Sequence, residues 1–147
     1  MGIESPTLTA FVARMALPEI NLAAWGSLIY PISLAVEGPI IMLLAASTAL
    51  ATDKTAYRKL FKYMVVMSLV LTAIHVLIAF TPLFYMVANG LLKVPVALHE
   101  PGRIGLQIMT PWTIMIAWRR LNQGVMIKYG NSQSVALGTV IRLITLV

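Results

Sequence analysis

Two long apolar runs restrict the kinds of fold that this sequence can adopt. Residues 20–51 contain a single formal charge, Glu37, and residues 63–92 contain none. A helix that crosses the roughly 30 Å hydrocarbon core of a bilayer needs about 20 predominantly apolar residues. Both runs exceed that length, so each is expected to form a membrane-spanning helix.

The composition indicates that lipid surrounds the chain. Hydrophobic residues make up 59% of the sequence and charged residues 11%, whereas soluble domains carry roughly 25% charged residues. Eleven basic and five acidic residues are too few to cover the surface that a soluble fold of this size leaves in water. A soluble enzyme, a disordered tail and a coiled coil are therefore set aside. The net charge is +6, but the basic residues lie between apolar runs, so the charge is not taken to indicate nucleic-acid binding.

Two shorter runs predict further helices, each with arginine inside it. The third run continues through Arg119 and Arg120 if their stems reach the membrane interface, and the fourth contains Arg142. The four predicted spans, in one all-α transmembrane domain, are residues 22–51, 63–90, 103–126 and 133–147. The last run ends without a polar tail, and we expect the chain to be a fragment that is incomplete at both ends.

Basic residues between the apolar runs predict the orientation of the chain. Residues 52–62 carry four Lys or Arg and residues 119–132 carry three, while the intervening connection carries Lys93 and Arg103. Cytoplasmic loops are enriched in Lys and Arg. We therefore predict a multi-pass protein of the cell membrane, with 52–62 and 119–132 in the cytoplasm and the N-terminus and residues 91–102 outside.

Turn and capping residues predict where these helices end. Asp53 is suited to cap a short interfacial helix that begins at residue 54, and Pro111 is expected to kink the third helix. Gly38 and Pro39 are expected to break the first span, because proline removes a backbone donor and crowds the carbonyl four residues earlier. Gly130 is expected to end the third helix in a turn.

Glu37 is the leading candidate for a functional group. An ionised carboxylate deep in a bilayer costs at least about 2.5 kcal/mol, so it must be protonated, paired or next to water. Tyr30 and Ser33 precede it at helical spacing on the same face. The functional interpretation is a carboxyl group that faces a cavity and binds a proton, a cation or a substrate. The alternative is a neutral glutamate that forms a hydrogen bond where helices pack.

His75 and Arg103 are secondary candidates. His75 is interpreted as a hydrogen-bond partner between helices more readily than as a proton relay. Arg103 either holds an anion near the outer mouth of a cavity or anchors its helix at the interface. The sequence has no cysteine and no nucleophile–base pair or metal-ligand spacing, so neither an enzyme, a bound cofactor nor a metal site is predicted.

Two segments carry a family resemblance. Residues 11–26, FVARMALPEINLAAWG, resemble the outer turn between helices one and two of MATE-like transporters. Residues 116–130, IAWRRLNQGVMIKYG, resemble the cytoplasmic end of the fourth helix of that superfamily, the multidrug/oligosaccharidyl-lipid/polysaccharide flippases. Within it the chain is most similar to the progressive ankylosis protein group, through the Gly38-Pro39 region, TAYRK at 55–59 and AIHVLIA at 73–79.

The resemblance implies a fold and a function. Members have about twelve helices in two six-helix bundles, and this chain would supply helices two to four and part of helix five of the first bundle. It implies a secondary active antiporter that exports small organic or inorganic ions by alternating access, coupled to Na⁺ or H⁺. Its partners would be the lipid bilayer, the transported ion or small molecule and the remaining helices. The cavity candidates are Glu37, Tyr30, Ser33, Arg103 and His75.

Two other functions remain open. The chain could be a small membrane scaffold or subunit that binds neighbouring helices and transports nothing. It could also belong to a flippase for lipid-linked precursors within the same superfamily.

Overall fold

The computed structural model describes residues 4–146, and for residues 4–6, 143 and 146 it describes the backbone alone. The regular structure of this part of the chain is helical, as the sequence predicts. Its α-helices are α1 (Glu4–Val12), α2 (Pro18–Ala24), α3 (Tyr30–Leu50), α4 (Lys54–Phe80), α5 (Leu83–Tyr85), α6 (His99–Ile108), α7 (Trp112–Lys128) and α8 (Ser132–Leu146). Two π-helical segments, Trp25–Ile29 and Met86–Leu91, and a 3₁₀ turn at Val96–Leu98 lie between them.

Two helical stretches are long and apolar enough to cross a membrane. The first is Pro18–Leu50, in which a π-helical segment joins α2 to α3, and the second is α4. At 1.5 Å per residue these 33 and 27 residues reach about 50 and 40 Å, more than the roughly 30 Å apolar core of a bilayer. The chain is thus an all-helical protein with two candidate membrane spans, and the four-span arrangement stays a prediction.

The second span begins earlier and ends earlier than the sequence predicts. Its first residue is Lys54 rather than residue 63, because the Asp53 Oδ1 atom accepts a 2.7 Å hydrogen bond from the Ala56 amide and caps the helix. The cap is confirmed, but the helix that it starts is long and continues to Phe80. Pro82 then ends the regular ladder, because proline has no N–H to bond to an earlier carbonyl.

The predicted helix break at Gly38 and Pro39 is not observed. The α-helical conformation continues from Tyr30 to Leu50 with Pro39 inside it. The irregularity lies nine to thirteen residues before Gly38, in the π-helical segment Trp25–Ile29, where the Tyr30 amide bonds to the Trp25 carbonyl five residues back. The missing backbone N–H of a proline is tolerated in an apolar helix when packing against neighbouring helices holds the backbone in place.

The third predicted span is divided in two. The α6 helix ends at Ile108, and α7 begins at Trp112 after Pro111, so residues 103–126 do not form one uninterrupted helix. The α7 helix continues to Lys128 and ends at Gly130, whose φ of 77° is the left-handed conformation that glycine favours. Arg119 and Arg120 lie within a helix, as the predicted span 103–126 has them, and the predicted loop 119–132 begins too early because α7 continues to Lys128.

The described chain divides into two compact units. The first comprises the residues up to Val36 together with Ala73–Thr110, and the second comprises Glu37–Thr72 together with the residues from Pro111 onward. Because α3 and α4 contribute to both, each unit takes part of each of these helices.

Close contact between α6 and the π-helical segment Trp25–Ile29 organises the first unit. A β-carbon on Gly102 would lie 2.6 Å from Leu28 Cδ1, and one on Gly105 would overlap the Ile29 side chain. The absence of side chains at these two glycines lets the helices approach, as small residues do in membrane proteins. The buried core of this unit contains Leu28, Ile29, Ile32, Ala79, Phe84, Ala88, Val94 and Leu106.

The second unit uses a glycine in the same way. A β-carbon on Gly124 of α7 would lie 2.6 Å from the Leu44 carbonyl oxygen of α3 and would overlap Ser47 Oγ. The Thr48 Oγ1 atom donates to the Gly124 carbonyl at 3.3 Å across the same contact. The buried core of this unit contains Ile40, Leu43, Met64, Ile116, Ala117 and Leu121.

Residues at the end of α7 satisfy the carbonyl groups at the end of α3. The Lys128 Nζ atom donates to the Ala49 carbonyl at 2.7 Å, and the Tyr129 hydroxyl donates to the carbonyls of Ala51 and Thr52 at 3.1 and 3.2 Å. The last carbonyls of a helix have no partner within it and need such donors. A basic residue there also suits the negative end of the helix dipole.

Candidate functional site

The predicted site residues are divided between the two units. Tyr30, Ser33, His75 and Arg103 belong to the first unit, and Glu37 belongs to the second. The two groups are therefore described separately.

Glu37 is buried in the apolar part of the second unit. Its side chain is 6% exposed. The indole N–H of Trp112, at the start of α7, donates a hydrogen bond to its carboxyl group, and Arg119 attracts that group electrostatically. The Oε1 atom forms no hydrogen bond with any residue that the structure describes. The carboxyl group thus has one fixed donor, one nearby positive charge and an oxygen that is still able to accept.

Helix α7 supplies the partners of Glu37 from one of its faces. Trp112 and Arg119 are seven residues apart, which places them on the same side of a helix, two turns apart. Thr113, Ile116 and Ala117 of the same helix are buried in the interior of the unit. The Thr113 Oγ1 atom is fully buried and forms no hydrogen bond with the described residues. A buried hydroxyl without a partner is costly, so Thr113 marks a second polar position in this interior.

In the first unit, Arg103 binds the end of α4. Its Nε atom donates to the Ala79 carbonyl at 3.1 Å and its Nη2 atom donates to the Phe80 carbonyl at 3.0 Å. Gln107 Nε2 donates to the Ala79 carbonyl at 3.2 Å. These carbonyl groups lie at the end of α4, where Pro82 ends the regular helical hydrogen bonds, so they need hydrogen-bond donors from elsewhere. Arg103 therefore makes a structural contact with the protein backbone; its location at a cavity mouth or at the membrane interface stays a prediction.

The guanidinium group of Arg103 also contacts an aromatic cluster. It lies 5.6 Å from the centre of the Tyr85 ring, a distance typical of a cation–π contact. The rings of Tyr85, Phe84 and His99 pack with centroids 5.4 to 6.1 Å apart. This cluster holds the chain after α4 against the start of α6.

His75 joins α4 to α6. Its Nε2 atom lies 2.9 Å from the Leu106 carbonyl oxygen and must carry a proton to donate to it. The side chain is buried, and its Nδ1 atom forms no hydrogen bond within residues 4–146. This geometry is that of a hydrogen-bond partner between helices, which is the interpretation that the sequence favoured.

Tyr30 and Ser33 differ in exposure although they lie one turn apart. Tyr30 is 47% exposed, whereas Ser33 is buried and its Oγ atom forms no hydrogen bond with the described residues. The three-residue spacing predicts that the two side chains share a helix face, but in the fold Tyr30 is exposed and Ser33 is buried.

Sequence reasoning did not identify Trp112, Thr113 or the relation of Arg119 to Glu37. On the sequence alone, Arg119 is only one of the basic residues that predict the orientation. The seven-residue spacing of Trp112 and Arg119 was a visible clue that they share a face, but the choice of Glu37 as their partner depends on packing between helices. No group of three or more His, Asp or Glu side chains in the described part of the chain could hold a metal ion.

No protein-family model, curated protein or solved structure matches this chain.

Proposed function

We propose that this chain is part of a secondary active membrane transporter of the MATE-like superfamily, and that Glu37 binds the coupling proton or cation. The observation that carries the proposal is the environment of Glu37: a buried carboxyl group within a candidate membrane span, with an oxygen that accepts no hydrogen bond from a described residue. Intramembrane carboxylates are costly and are associated with ion and proton pathways.

The charge next to Glu37 supports a role in coupling. An ionised Glu37 is attracted to Arg119, and neutralising the carboxyl group with a proton removes that attraction. A bound Na⁺ has a similar effect, because it competes with the guanidinium group for the same carboxylate. Ion occupancy at Glu37 would therefore change how strongly α3 is held to α7, which is the kind of local change that can favour one of two conformations.

The surface of α4 is consistent with a bilayer around this helix. Large apolar side chains are exposed along its length, at Tyr63, Val66, Leu69, Val70 and Leu77. Such a surface is unfavourable in water and is suited to lipid or to neighbouring helices. The proposed orientation follows from the basic residues that lie in or near the α3–α4 and α7–α8 connections, with both connections in the cytoplasm.

The test is a flux assay on the protein that is encoded by the complete open reading frame containing these residues, purified and reconstituted in liposomes. Efflux of a small anion such as citrate is measured with and without an imposed Na⁺ or H⁺ gradient. In Glu37→Gln we expect the gradient to stop stimulating efflux, because the amide neither ionises nor binds a proton. The matched control is Glu100→Gln, which removes a carboxylate from an exposed position at the start of α6.

Wild-type rates and unchanged coupling in Glu37→Gln would remove this residue from the mechanism. An absence of flux for every ion and gradient tested would favour a scaffold or subunit. Movement of a labelled lipid-linked precursor between leaflets would favour a flippase.

A further inference from the structure

A groove of about 400 Å³ lies between α7 and α8 in the second unit. Each helix contributes one arginine to its lining, Arg119 from α7 and Arg142 from α8. Side-chain amide and hydroxyl groups stand beside them, among them Asn122 and Thr139. The lining therefore combines two guanidinium groups with neutral hydrogen-bonding groups.

Large apolar residues border the same groove. Trp118 and Met126 both contribute to its lining, and they are 54% and 41% exposed. Tryptophan prefers the level of the lipid headgroups in membrane proteins. The Trp118 ring makes a nearly perpendicular contact with the Phe61 ring, with centroids 5.7 Å apart. A ligand here would meet both positive charge and apolar surface.

We propose that this groove binds the phosphate group of an anionic membrane lipid. Guanidinium groups bind phosphate oxygens through paired N–H donors, and the apolar lining residues suit the glycerol and acyl parts of the same molecule. Glu37 offsets part of the charge of Arg119. Because Arg119 also interacts with Glu37, Arg142 is the lining arginine whose replacement tests the groove separately from Glu37.

The groove shares Arg119 with the transport proposal, but the two proposals are tested by different measurements. Residues of α7 and α8 line the groove, and its test measures bound lipid and not flux. Loss of lipid binding and loss of coupling at Glu37 would thus be separate results.

The experiment uses the purified full chain in detergent, to which either phosphatidylglycerol or phosphatidylcholine has been added. Native mass spectrometry then counts the lipid molecules that stay bound to the protein. The charge variant is Arg142→Gln, for which we expect about tenfold weaker retention of phosphatidylglycerol, the effect of losing a charge-assisted hydrogen bond. Its control is Arg120→Gln, which removes an identical charge next to Arg119 from a side chain outside the groove lining.

A steric variant tests the groove without changing its charge. Gly138 lines the groove, and a β-carbon built on it meets no atom within 4 Å. Gly138→Leu should therefore fold and fill the space, and should reduce phosphatidylglycerol retention as Arg142→Gln does. Ala136→Leu adds the same side chain at an exposed position of α8 that does not line the groove, and should retain the lipid.

Selective loss in Arg142→Gln and Gly138→Leu, with retention in both controls, supports the proposal. Equal retention in all four variants would place the lipid elsewhere and overturn it. Equal binding of phosphatidylcholine and phosphatidylglycerol would overturn the role of net charge. If inorganic phosphate binds the groove as tightly as the lipid, the anion comes from solution and the lipid assignment is wrong.

Discussion

The indole N–H of Trp112 donates a hydrogen bond to the carboxyl group of Glu37, joining the start of α7 to the middle of α3. This contact fixes one side of a buried carboxyl group while Oε1 is still able to accept a hydrogen bond. A structural glutamate would be expected to use both oxygens, since buried polar atoms are nearly always satisfied. The half-satisfied carboxyl group is therefore the feature that supports the proposed binding role of Glu37.

Replacing Trp112 with phenylalanine should destabilise the protein by removing this donor while keeping an aromatic ring. Hydrogen bonds to charged groups are worth about 1.5–3 kcal/mol, so we expect a clearly lower thermal midpoint for Trp112→Phe, followed by circular dichroism in detergent. Trp118→Phe is the control, because that ring is 54% exposed and contacts Phe61 at its edge. Equal shifts in the two variants would show that the Glu37 contact contributes nothing.

The sequence predicts local features of this fold better than the contacts between its helices. Asp53 caps α4 and Gly130 ends α7 as expected, since capping and left-handed turns depend on a few adjacent residues. Pro39 was expected to break its helix, but packing overrides a local preference of this kind. The approach of Trp112 to Glu37 joins residues 75 positions apart, and no local pattern specifies such a pairing.

Replacing a glycine with alanine should have opposite effects on stability at two positions, one in α7 and one in α8. The β-carbon of Gly124→Ala would overlap Ser47 and lie 2.6 Å from the Leu44 carbonyl, so α3 and α7 must separate, at a cost of about 1–3 kcal/mol. The β-carbon of Gly138→Ala meets no atom within 4 Å. Alanine is the better helix former by about 1 kcal/mol, so this variant should be as stable as the wild type or more so. Thermal unfolding of both variants under identical conditions tests the contrast, which fails if Gly124→Ala is neutral.

Arg103→Lys should loosen the end of α4 although it preserves the charge. A lysine has a single ammonium group and cannot donate from two nitrogens of a planar fork to the carbonyls of Ala79 and Phe80. We expect faster amide hydrogen exchange in the turn at Thr81 and a loss of about 1–2 kcal/mol, the value of one or two hydrogen bonds. Arg14→Lys, at an exposed position, is the matched control. Unchanged exchange in Arg103→Lys would mean that other donors satisfy these carbonyls.

His75 and Glu37 should separate stability from coupling. His75→Leu removes the donor to the Leu106 carbonyl but leaves an apolar side chain in a buried position. It should lower the free energy of unfolding by about 1 kcal/mol and leave the response of efflux to an ion gradient unchanged. Glu37→Gln should leave the free energy of unfolding nearly unchanged and should abolish the response of efflux to the ion gradient. Glutamine can still accept a hydrogen bond from Trp112, but it cannot ionise beside Arg119. Thermal unfolding and gradient-driven efflux are measured on both variants. If His75→Leu abolishes the gradient response while the protein is still folded, His75 is a proton relay and the coupling role cannot be assigned to Glu37 alone.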